Sequence, residues 1–104
     1  MSNKNIKIMS NKNIKIESIV KNSYEKLKKI HPKLKKFSFK LKIKGDHSNL
    51  DSVDIVSFFS ILDQEIEKNK LKNPNFMNEN FFFKLNNITI ENIIEKIKNK
   101  NGYK

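Results

Sequence analysis

From Leu50 to Glu67 (LDSVDIVSFFSILDQEIE), apolar side chains recur three and four residues apart. They are Val53, Val56, Phe59, Leu62 and Ile66, with Phe58 and Ile61 flanking. That spacing restricts the stretch to an amphipathic α-helix with one face to bury. Asp51 suits the N-cap, and Asp54 falls in the first helical turn, where a carboxylate meets the positive end of the helix dipole. Ser52 then stands at the start of the helix with a short, exposed hydroxyl. Six acids lie between Gly45 and Glu67 and no lysine does. Elsewhere lysine dominates: all 22 basic residues are lysine, arginine is absent, and the formal net charge is +11.

Two further helices are expected. Ile16, Ile19, Val20, Leu27 and Ile30 share one face of a helix over about 14–30, with Tyr24 at its edge. Pro32 disfavours helical dihedrals at His31 and should end it there; His31 reads as an end residue beside the last carbonyls. Thr89 is a suitable N-cap for a last helix in which Ile90, Ile93, Ile94 and Ile97 form the buried stripe, with Gly102 as its terminator. Between the first two helices, Phe37, Phe39, Leu41 and Ile43 alternate with polar residues, the period of a strand. No second strand is evident to pair with it, so an extended loop pinned by its apolar side chains is preferred. Gly45 and Asp46 make a turn before the central helix. A polar, lysine-rich loop follows Glu67, and Phe81, Phe82, Phe83 and Leu85 form a short helix or turn. The sum is an all-α helical bundle with one modest core.

The octapeptide MSNKNIKI occurs twice, at 1–8 and 9–16. The expected division is a flexible duplicated segment over 1–13, one helical domain over 14–100 and a tail over 101–104. The chain has no cysteine, which excludes disulfides and a cysteine nucleophile. His31 and His47 have no partner at metal-ligand spacing. No apolar run reaches the length of a membrane span or a signal-peptide core, so the expected location is the cytoplasm. No base and nucleophile constellation appears, so the chain is not expected to be an enzyme.

Asp51-Ser52-Val53-Asp54, followed by Ile55-Val56 and Phe58-Phe59, resembles the attachment motif of acyl carrier proteins. Ile61-Leu62-Asp63-Gln64-Glu65-Ile66 looks like that family's helix continuation. Glu79-Asn80-Phe81 resembles its third segment, and Thr89-Ile90-Glu91-Asn92-Ile93-Ile94-Glu95-Lys96-Ile97 its final helix. The likeness runs from about Ile14 to Lys98, in an atypical, basic member.

The resemblance implies a small four-helix bundle of acyl-carrier type: three longer helices, one short third helix, and a long loop between helices 1 and 2. It implies that Ser52 receives 4′-phosphopantetheine from coenzyme A. The arm's thiol would hold an acyl or aminoacyl group as a thioester, to be presented to partner enzymes. Asp51 would help orient the phosphopantetheinyl transferase and its magnesium ion. Val53, Asp54, Asp63, Glu65 and Glu67 would meet loading and acyl-using enzymes, opposite charge steering the encounter. The chain would act as a monomer. Cargo would lie in a shallow space lined by Val56, Phe59, Leu62, Ile93, Ile94 and Ile97. The competing readings are a helical interaction module without the arm, and a basic module for single-stranded nucleic acid. The latter would use Phe37 and Phe39 among Lys33, Lys35, Lys36, Lys40, Lys42 and Lys44. The lack of arginine counts against nucleic acid.

Overall fold

The computed structural model describes the backbone of residues 2–46, 48, 50–76 and 84–102, with side chains from Lys15 onward. Helix α1 spans Ser2–Ile30, strand β1 Lys42–Lys44, helix α2 Ser52–Lys68, strand β2 Ile88–Thr89 and helix α3 Ile90–Lys100. The domain is small and mostly helical. Among the described residues it has three helices and a strand pair, so it is not a four-helix bundle. The short third helix was expected over 81–85; residues 81–83 lie outside the described residues, and Lys84 and Leu85 are not helical. None of the described helices is long and apolar enough to cross a membrane.

Helix α1 packs on both α2 and α3. It begins at Ser2, not near Ile14, so both octapeptide copies run into one continuous helix. Ile16, Ile19, Val20 and Leu27 are buried as expected, but Tyr24 is fully buried and Ile30 is 64% exposed. The last turn of α1 overruns the core, and the contact with α2 there passes to His31. Ser23 is also buried, and its hydroxyl donates to the Ile19 carbonyl at 2.8 Å, which removes the cost of burying it.

The connection after α1 is a loop with turns closed by the Leu34 N–H on the His31 carbonyl and the Leu41 N–H on the Ser38 carbonyl, and then a strand. Ile43 is fully buried between half-buried Lys42 and Lys44. Strand β1 pairs antiparallel with β2, Lys42 opposite Thr89 and Lys44 opposite Ile88. The expected absence of a ladder partner is therefore corrected. The partner is two residues long and runs straight into α3, too short to show any period. Thr89 ends β2 and caps α3 at once. Gly45 has φ +121°, and a Cβ there would meet the Asn87 side chain and the Asn86 carbonyl. Gly45→Ala should cost about 2–3 kcal/mol through backbone strain and this clash. Urea unfolding checks it; a loss below about 0.5 kcal/mol would mean that the turn relaxes freely.

Helix α2 buries Phe58, Phe59, Leu62 and Ile66. Val53 and Val56, expected on that face, are 66% and 55% exposed. A step of three residues falls about 60° short of a full turn, so Val53, Val56 and Phe59 drift around the helix instead of lining one side. The buried stripe centres on Phe58, Phe59, Leu62 and Ile66. Lys70, just past the C-cap, has φ 59°, and the Leu71 N–H returns to the Ile66 carbonyl at 3.1 Å. This is a Schellman closure with lysine where glycine is usual. In α3, Ile90, Ile93, Ile94 and Ile97 are all buried. Asn101 is its C-cap and Gly102 follows with φ +76°, as a helix terminator should.

The centre of the core is aromatic. Phe58 and Phe59 meet at 5.4 Å, Phe59 stacks on Phe76 at 5.2 Å, and Tyr24 edges Phe58 at 6.3 Å. Phe76 comes from the segment read as a polar loop, yet it is 1% exposed. The Tyr24 hydroxyl donates to the Lys35 carbonyl and fastens the loop to α1. Burial, reinforced by the Glu25 carboxylate, pushes the Tyr24 phenol up to about 12 from 10.0. Above pH 10 the unfolded chain therefore sheds this proton while the folded chain keeps it, so stability falls as pH rises, until about pH 12. Over that interval the wild type should lose roughly 2–3 kcal/mol more than Tyr24→Phe. Parallel urea-unfolding curves for the two proteins across it would refute the assignment.

Candidate functional site

The chain enters α2 through Asp51, an N-cap in extended conformation with φ −88° and ψ −179°. Its Oδ1 accepts the Asp54 N–H at 2.8 Å, and Asp54 Oδ2 accepts the Asp51 N–H at 3.3 Å. The Asp51 carbonyl accepts the Ile55 N–H at 3.0 Å, the first bond of the helix. This reciprocal capping box holds the entry. Ser52 is the first residue of α2 and is exposed. The hydroxyl thus stands at the mouth of the helix, where the sequence put it.

The two helices with capping boxes differ in what they do with their next amides. In α3, the Ile90 N–H donates to the Leu41 carbonyl and the Glu91 N–H to the Phe39 carbonyl, each at 2.9 Å. The equivalent amides of α2 are those of Ser52 and Val53. Among the described residues neither has an intrachain acceptor. They are orphan donors at the positive end of the helix dipole, beside an exposed hydroxyl, which is an environment that favours an anion.

Val53 and Val56 stand next to this hydroxyl and, with Ser52 and Ser57, line an open depression of about 300 Å³. They form a small exposed apolar ledge. The expected cargo space inside the bundle is different. Phe59, Leu62, Ile93 and Ile97 are core residues at 0–1% exposure, Ile94 is at 5%, and Val56 faces outward.

The acids of α2 take several roles. Asp54 is 7% exposed and serves the cap, turned inward and not toward a partner. Its Oδ1 lies 3.3 Å from Nε2 of His31. Glu65 Oε2 is held by Lys26 of α1 at 2.9 Å, and Asp63 Oδ1 accepts from Asn73 at 2.9 Å. Glu67 is exposed. Of the five residues expected to meet partners, Val53 and Glu67 are fully presented, Asp63 and Glu65 are partly engaged, and Asp54 is internal. His31 is the site residue that sequence reading missed. Its N–H donates to the Leu27 carbonyl as expected of a helix end, but its ring reaches across to α2, and no local pattern links positions 31 and 54. Among the described residues no group of three or more histidines and acids could hold a metal ion.

No family model matches this chain, and no curated protein and no solved structure does either.

Proposed function

We propose that this chain is a carrier protein, modified on Ser52 with 4′-phosphopantetheine. The observation that carries the reading is the exposed Ser52 hydroxyl at the first turn of α2, beside the open amides of Ser52 and Val53. In the modification, Ser52 Oγ attacks the phosphorus of coenzyme A that bears pantetheine. A serine–phosphorus ester bond forms and the pyrophosphate bond breaks. Adenosine 3′,5′-bisphosphate leaves, and the hydroxyl proton passes to a base of the transferase. The Ser52 and Val53 amides then face the diester anion, which the helix dipole stabilises. When bound, the arm supplies a thiol that carries an acyl or aminoacyl group as a thioester. This chain contributes the placement, and other enzymes contribute the chemistry.

Asp51 keeps the entry turn in shape through its bond to the Asp54 amide. Val53 and Val56 offer an apolar contact beside the attachment point, and Glu67 adds exposed negative charge further along the helix. The partners on this reading are a phosphopantetheinyl transferase and the enzymes that load and use the arm, met by a cytoplasmic monomer. The nucleic-acid reading draws less support. Phe37 packs on Tyr24 at 5.9 Å, and Phe39 borders a depression lined by Glu17, Glu91, Glu95 and Lys98, where three acids face one lysine and the balance disfavours phosphate.

Incubation with coenzyme A, magnesium and a broad-range transferase, followed by intact mass, tests the proposal. One added phosphopantetheine per chain is expected. An unchanged mass with several transferases would defeat it.

A further inference from the structure

The α2 entry has a mechanical problem that α3 does not. The first amides of α3 are tied to the Leu41 and Phe39 carbonyls, which fasten that helix start to the loop. Among the described residues, the equivalent amides of α2 have no such partner. An N-terminus kept free for an anion gives up this backbone anchoring and must be held by something else. Leu50, buried in the core with its N–H on Ser48 Oγ at 3.3 Å, anchors the chain just before the cap, and the side chain of Asp54 ties the entry itself to α1. One oxygen accepts the Asp51 N–H at 3.3 Å, and the other faces His31 Nε2 at 3.3 Å. The Asp54 side chain is only 10% exposed, so water can replace His31 poorly.

His31 is itself well fixed. Its N–H donates to the Leu27 carbonyl at 2.9 Å and its carbonyl accepts the Leu34 N–H at 3.1 Å, with Leu34 buried in the core. Pro32 restricts the dihedrals of His31 itself. The imidazole is therefore mounted on a rigid corner at the end of α1 and braces the start of α2.

We propose that His31 is a positioning residue for Ser52: through Asp54 it fixes the turn from which the hydroxyl is presented. The inference rests on Ser52 being the attachment point. His31 makes no contact with the reacting atoms. Without it, Asp54 loses one of two partners and the capping box loosens. The transferase then meets a chain whose competent entry turn is only partly populated, and apparent affinity drops by that fraction.

His31 has a side chain 46% exposed, so substitution opens no core cavity and the variants should fold. Steady-state kinetics of modification, with coenzyme A and one transferase, give the test. His31→Ala should raise the KM for this chain about three- to tenfold and leave kcat within about twofold. His31→Gln, which retains a side-chain N–H donor, should restore KM to within about twofold of wild type. In an Asp54→Ala background, His31→Ala should add nothing further. An unchanged KM in His31→Ala, with wild type modified normally, overturns this inference alone. So does a His31→Gln variant as impaired as His31→Ala. A wild type that takes no arm defeats the carrier reading, and this inference with it.

Discussion

Ser52→Ala should take up no 4′-phosphopantetheine and should remain as stable as the wild type. The loss should be complete because the nucleophile is gone and nothing replaces it. The chain has no cysteine. Ser57 and Ser60 lie further along α2, where the amides are used by the helix itself. Ser48 donates its hydroxyl to the Ile43 carbonyl at 2.9 Å in the preceding turn. Stability should change by no more than about 0.5 kcal/mol. Ser52 is exposed, and alanine is a good residue for a helix start. Intact mass reads the first half of this result and thermal unfolding the second. Residual modification of the variant at the wild-type level would remove Ser52 from the account. A cooperative loss of structure would mean that the serine is needed for folding and the null mass is uninformative about chemistry.

Phe58→Ala should lose about 3–5 kcal/mol, a large share of the roughly 5–15 kcal/mol that holds a small domain together. Phe58 is fully buried and meets Phe59 at 5.4 Å and Tyr24 at 6.3 Å. Truncation removes two aromatic contacts and leaves a cavity at the α1–α2 contact. The melting temperature should fall by roughly 15–30 °C, followed by circular dichroism. Val56→Ala is the matched control. At 55% exposure it should cost less than about 0.5 kcal/mol. Equal losses at the two positions would contradict the observed facing of α2, and a larger loss at Val56 would reverse it.

These two residues also mark where the sequence could and could not be read. The three helices, both N-caps and the stripe of α3 follow from local chemistry. Asp51 and Thr89 cap because their short oxygens reach the third amide, and Ile90, Ile93, Ile94 and Ile97 alternate steps of three and four. That Ser52 stands at a helix mouth was legible for the same reason. The facing of α2 was not, because Val53, Val56 and Phe59 are related by threes alone and two overlapping stripes compete. The partner of β1 was hidden, since Ile88 and Thr89 are too few to carry a period. Phe76 looked like a loop residue because its neighbours are polar, yet it is buried in the core and stacks on Phe59 at 5.2 Å. The brace from His31 to Asp54 joins residues 23 positions apart, and nothing in either segment announces it.

The acidic stretch reads differently once the partners are known. Lysine is missing from 45–67, yet Glu65 is held by Lys26 of α1 and Asp54 sits beside His31. Part of that negative charge therefore joins the helices of this domain to one another. The rest is left to the surface, with Asp51 beside the attachment point and Glu67 at the far end of α2.

The same lysine-free stretch makes the central claim directly measurable. Cleavage after lysine releases residues 45–68 as one peptide, containing Ser48, Ser52, Ser57 and Ser60. After treatment of the whole chain with coenzyme A and a transferase, fragmentation of this peptide should place all of the added phosphopantetheine on Ser52. Placement on any of the other three serines, or a peptide of unmodified mass, would contradict the account.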